Sequence, residues 1–119
     1  MSYENPEVIN YRFPAATLSA AAVIGRLISP AGKTGRVLDV TTIVTTGVTV
    51  AATTVQVGLT ADPDAYSTLT VPISSANAGA NGALSVDQHE IPADTVVDVY
   101  AGGECTAGAA DVNVAIAWY

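Results

Sequence analysis

Four places in the sequence carry side chains that could do chemistry: His89, Cys105, the pair Asp62 and Asp64, and the stretch Pro30-Ala31-Gly32-Lys33-Thr34-Gly35. A catalytic nucleophile needs a tuned base beside it. His89 is the only histidine and sits between Gln88 and Glu90 in an alternating, strand-like run, so it reads as a surface or edge side chain. Cys105 is the only cysteine, which rules out an internal disulfide and a Cys-based zinc site. An activated thiolate wants a positive neighbour, and the adjacent residue is Glu104.

The Gly32-Lys33-Thr34 triplet resembles part of a phosphate-binding loop. The upstream glycine of the full pattern is missing, Ile28 standing in that stretch, and a strand rather than a helix follows. It is not a nucleotide site. Asp62-Pro63-Asp64 reads first as a turn, because Pro presets φ and the Asp side chain can bond nearby backbone amides. Two carboxylates at this spacing could also meet Ca²⁺, although a calcium loop needs several more oxygens. Eleven acidic residues leave many carboxylate pairs, but sugar-handling proteins usually offer aromatics for stacking, and seven aromatics are few. These residues predict no catalytic group, no metal and no cofactor.

The elements that must position these side chains are strands. In Arg36–Thr60, Leu38, Val40, Thr42 and Val44 share one parity, and Val55, Val57 and Leu59 share another. Period two with Val, Ile and Thr predicts two strands of a core sheet. Ala22–Ser29 is read as a strand, and Ser29–Gly35 as the turn joining it to the next. Further strands are predicted over Tyr66–Ile73, with Pro72 at its end, over Val86–Ile91 and over Thr95–Ala101. Ser74–Ser85 reads as a small-residue loop. Asp111–Tyr119 carries the clearest alternation, with Val112, Val114, Ile116 and Trp118 on one face. Seven or eight strands at roughly 8–12-residue spacing predict an antiparallel sandwich or barrel.

Met1–Pro14 has a different character, holding Tyr3, Tyr11 and the only Phe, Phe13, together with Pro6, Pro14 and Arg12. We read it as an extended arm preceding one β-domain over 15–119. It either closes over the domain's own core as a first strand or lies on a neighbouring subunit, with Tyr3, Tyr11, Arg12 and Phe13 as interface candidates. The start lacks the basic end and apolar stretch of a signal peptide, and no apolar run approaches the roughly 20 residues of a membrane span. A soluble chain, cytoplasmic at synthesis, is expected.

Net charge is −7, and all four basic residues (Arg12, Arg26, Lys33, Arg36) precede position 37, while nine of the eleven acids follow it. Nucleic-acid binding needs clustered Lys and Arg and is not expected. The split reads either as a solvated acidic surface or as a basic third that meets the acidic remainder of a neighbouring copy.

The segment IPADTVVDVYAGGECTAGAADVNVAIAWY, from Ile91 to Tyr119, resembles the closing hairpin of small β-sandwich proteins in tailed-bacteriophage virions. GKTGRVLDVTTIVTT and VQVGLTADPDAYSTLTV are similar to the same group, so the resemblance spans roughly residues 17–119. It includes head decoration, or cement, proteins. It implies an all-β, jelly-roll-like antiparallel sandwich, homotrimers, the major capsid protein as partner, and a non-enzymatic role on the capsid surface after synthesis in the host cytoplasm. A receptor- or carbohydrate-binding β-module of a phage tail or fibre is the alternative. The resemblance carries over no site residues.

Overall fold

The computed structural model describes residues 7–81, 83–84 and 90–119. The described residues form ten strand segments: β1 (Glu7–Thr17), β2 (Ala22–Ile28), β3 (Gly35–Thr49), β4 (Thr53–Gly58), β5 (Ser67–Val71), β6 (Gly79–Asn81), β7 (Ala83–Leu84), β8 (Glu90–Ile91), β9 (Val96–Ala101) and β10 (Ala107–Trp118). Residues 86–89 of the predicted Val86–Ile91 strand lie outside the described residues. One sheet runs β1-β10-β3, with β6 and β8 both pairing to the far side of β3. The other runs β2-β9-β4-β5-β7.

The antiparallel pairs nest. β4 pairs with β5, β3 with β8, β2 with β9 and β1 with β10. A long ribbon folded so that its outer pairs alternate between two sheets is the jelly-roll arrangement, here an antiparallel β-sandwich. The core lies between the sheets. β10 supplies Val112, Val114, Ile116 and Trp118, each fully buried, against Val55, Val57, Val97, Val99 and Leu69 of the opposing sheet. Small β-branched side chains make up much of this layer, with Trp118, Tyr66, Leu18 and Leu69 as larger groups in it.

Several expectations are corrected here. The two strands read as neighbours, β3 and β4, lie in different sheets. Ser29–Gly35 likewise joins strands of different sheets rather than a hairpin. Its turn is closed by Lys33 N–H donating to the Pro30 carbonyl at 3.0 Å. Leu38 does not share a face with Val40. Asp39 pairs with Ala115 and Val37 with Ile116, so the extra residue at this bulge turns Leu38 outward at 45% exposure while Val37 and Val40 stay inside. Ser74–Ser85 is not all loop: β6 pairs with β3 and β7 with β5, carrying the chain from one sheet towards the other.

The described part of the predicted arm, Glu7–Pro14, is strand. β1 pairs with β10 from Glu7↔Trp118 to Thr17↔Ala109, with a register shift between Phe13 and Ala16. It is the first of the two alternatives for this segment, closing over its own core. The register shift leaves Pro14 and Ala15 out of the pairing, and the strand resumes at Ala16.

Candidate interaction surface and cleft

Tyr3 lies outside the described residues, as does His89. The other three interface candidates fall on β1, an edge strand that pairs on one side only among the described residues. Tyr11 and Phe13 point inward and are half-buried against the core, with Ile9. Trp118 Nε1 donates to the Tyr11 hydroxyl at 2.9 Å, which gives the buried indole its partner. Leaving such an N–H unpaired costs about 1–3 kcal/mol. Phe13 packs beneath Gly25 of β2, where a Cβ would strike its ring. Arg12 points outward and donates through Nη2 to Asp111 at 2.9 Å. Asp111 also accepts the Ala15 N–H at 2.7 Å, holding the residue whose φ of 49° opens the register shift. The Ala15 amide first, then Arg12, hold the Asp111 carboxyl below its ordinary 3.8.

Beside this edge, the outer face of the first sheet exposes Val8 at 54%, opposite Ala117 of β10, and Leu38 at 45%, at the bulge beside Ala115, while Ile43, 50% exposed, lies opposite Asp111. A second apolar projection lies at the β3–β4 turn. Val50, at φ 73° and 77% exposed, sits in a three-residue turn closed by Ala51 N–H to Thr49 O at 2.9 Å. A β-branched residue there is strained.

The second sheet's outer face is different. Asp98, on β9, is only 3% exposed although its position faces away from the core between Arg26 of β2 and Gly58 of β4. It is buried by the β4–β5 connection. Gly58 makes that cover possible, because a Cβ at this position would strike the carbonyl oxygens of Asp62 and Pro63. Arg26 Nε donates to one Asp98 oxygen and Thr60 Oγ1 to the other, both at 2.9 Å. Between β2, β9 and the folded-over loop lies an open cleft of about 110 Å³, walled by Val23, Leu59, Pro63 and Tyr100. The sequence reading missed Asp98 and Arg26. In Val-Val-Asp-Val-Tyr an alternating Asp reads as a solvent-facing residue, and only the distant loop buries it.

The other chemically capable residues are placed as follows. Asp62 and Asp64 lie in the predicted turn, closed by Ala65 N–H to Asp62 O at 3.1 Å. The hydrogen bond with Asp64 first, then burial and its charge, raise the Asp62 pKa above 3.8. Among the described residues, no three His, Cys, Asp or Glu side chains converge as a metal site would require. Cys105 is buried, its Sγ 3.4 Å from the Leu18 carbonyl. Burial pushes the Glu104 carboxyl up, but its own backbone amide, Thr53 and Thr54 outweigh this and hold it below 4.5.

The charge split also finds a partner within the chain. Arg12 meets Asp111 and Arg26 meets Asp98, so two of the four early cations pair with late acids of the same molecule. Searches against protein-family models, characterised proteins and solved structures each found no match.

Proposed function

We propose that this protein is a non-enzymatic structural component of a virion. It is a decoration protein that binds the outer surface of a phage head as a homotrimer and reinforces the lattice by contacting the major capsid protein. The observation that carries the reading is the β1 flank. An eleven-residue strand stands at the edge of the first sheet, its inward Ile9, Tyr11 and Phe13 only half-covered and its outward Val8 exposed, with Leu38 exposed on the same outer face across β10. An uncovered strand edge flanked by apolar side chains is a template for protein contact. The resemblance of Ile91–Tyr119 to closing hairpins of phage virion sandwiches supplies the virion context, and the jelly-roll fold fits it.

Deleting the first 14 residues is a poor test, because β1 belongs to the sheet. Val8→Lys places a charge on the exposed edge without touching the core. The parent is expected to sediment as a trimer at all concentrations tested and to attach to heads assembled without it, while Val8→Lys loses both. A parent that stays monomeric and leaves heads undecorated would sink the proposal, and so would a Val8→Lys variant that matches the parent in both assays.

A further inference from the structure

We infer that in the trimer the first strand is exchanged: residues 7–13 of each copy leave their own β10 and complete the first sheet of the next copy. The inference rests on the trimer proposed above and says what holds it together. The partner is a second copy of this chain because the site is already specified. β10 accepts this limb in a fixed register, from Glu7↔Trp118 to Phe13↔Val112, and the limb of any copy fits it equally. The contacts survive the exchange: Trp118 with Tyr11, Arg12 with Asp111, and the packing of Ile9 and Phe13 on the core. Exchange of an identical element is therefore a low-cost route to assembly.

The chain has one place at which to let go. Pro14 and Ala15 stand opposite Asp111 alone, between the pairs Phe13↔Val112 and Ala16↔Ala110. Behind this joint the chain is anchored. Ala16 and Leu18 are buried, Leu18 N–H donates to the Gly108 carbonyl at 3.0 Å, and the Leu18 carbonyl accepts from Thr53 Oγ1 at 3.3 Å. Ahead of the joint, the limb pairs on one side only among the described residues, and its inward side chains are half-covered. The joint is strained when closed, because Ala15 sits at φ 49°, where a residue with a Cβ is disfavoured. Pro14 favours an extended residue before it. Releasing Ala15 to negative φ straightens the joint and carries the limb away from its own sheet. Short hinges under strain invite such exchange. A limb passed to the next copy is a heterologous contact, and three of them close a ring. The Arg12–Asp111 pair then links the basic start of one copy to an acid of the next.

The test is a cross-link in the full chain. Asn10 and Ala115 face each other across β1 and β10. Directly opposed residues have Cα atoms about 4.5–5.5 Å apart, within disulfide range. Asn10→Cys with Ala115→Cys, in a Cys105→Ala background that leaves no third thiol, is oxidised and run on a denaturing gel without reductant. The expected band lies at three times the chain mass and collapses to one on reduction. Disulfides that close within each chain overturn the inference, and so do thiols that stay free in the folded protein, since both arrangements bring the pair together. Ala15→Gly takes the closed joint without strain, so it should favour the closed chain about fivefold and raise the concentration at which the trimer dissociates. An Ala15→Gly trimer as stable as the parent also overturns the inference. A trimeric parent whose cross-links stay within chains removes the exchange alone and leaves the virion reading standing. A parent that sediments as a monomer removes the trimer itself.

Discussion

Among the described residues two Arg–Asp pairs have the same length, and they do different work. Arg12 and Asp111 meet at 2.9 Å on the outer face of the first sheet, with side chains 62% and 22% exposed. Arg26 and Asp98 meet at 2.9 Å on the outer face of the second, at 60% and 5%. The cations are equally wet, so the difference lies in the carboxylates. Asp111 stays accessible and also holds the Ala15 amide, which makes it a staple for a backbone irregularity. Asp98 is closed over by the β4–β5 loop and fixes a guanidinium at a cleft. Equal bond length says nothing about cost. The cost is set by how much water the acid surrendered.

The largest effect that can separate the two pairs comes from removing each cation. Arg26→Met leaves the Asp98 charge buried with only Thr60 to support it. Urea unfolding should show a loss of about 2 kcal/mol, below the ~3–5 of a fully buried pair because the lost guanidinium was itself mostly hydrated. Arg12→Met should cost clearly less in the same assay, since Asp111 regains water. Equal losses would erase the distinction.

A smaller effect lies in pH dependence. The Asp111 pKa is lowered in the fold, so its contribution is present above the ordinary value of 3.8 and is lost as pH falls through the depressed value. Asp111→Asn should therefore be less stable than the parent at neutral pH, and the two should converge in acid. The smallest effect belongs to Asp62, which has Asp64 where the other acids have arginine. Its raised pKa means stability that is present in acid and lost as pH rises through that value. Asp64→Asn should slightly raise the melting temperature at neutral pH and give no gain in acid. A stabilisation that persists in acid would show that the carboxylate contact is not its source.

The same contrast explains how much could be read from the chain. β10 was legible because Val112, Val114, Ile116 and Trp118 alternate without interruption and their burial follows from parity alone. The all-β sandwich was legible from the repeated alternation and its Gly, Pro and Asp turns. Leu38 was misplaced because a bulge changes parity without changing composition. The sheet membership of β3 and β4 was misread because pairing partners lie far apart in sequence. The cleft was invisible for a related reason. Arg26, Gly58 and Asp98 each look ordinary in their own strand, and their meaning depends on a loop folding over a face that local pattern assigns to solvent.

The nested ribbon described above also sets the order in which the chain can be completed. Apart from the β4–β5 hairpin, its main pairs join distant residues: Gly35 with Ile91, Ala22 with Ala101, and Glu7 with Trp118. Loop closure must come before these contacts contribute, which places folding in the slow, millisecond-to-second class. On a ribosome, β1 emerges on the order of ten seconds before its partner β10 has been made. During that interval its apolar face has no sheet to join. A composition low in aromatics and rich in Ala, Thr and negative charge suits a polypeptide whose first strand must wait, in crowded company, for its last.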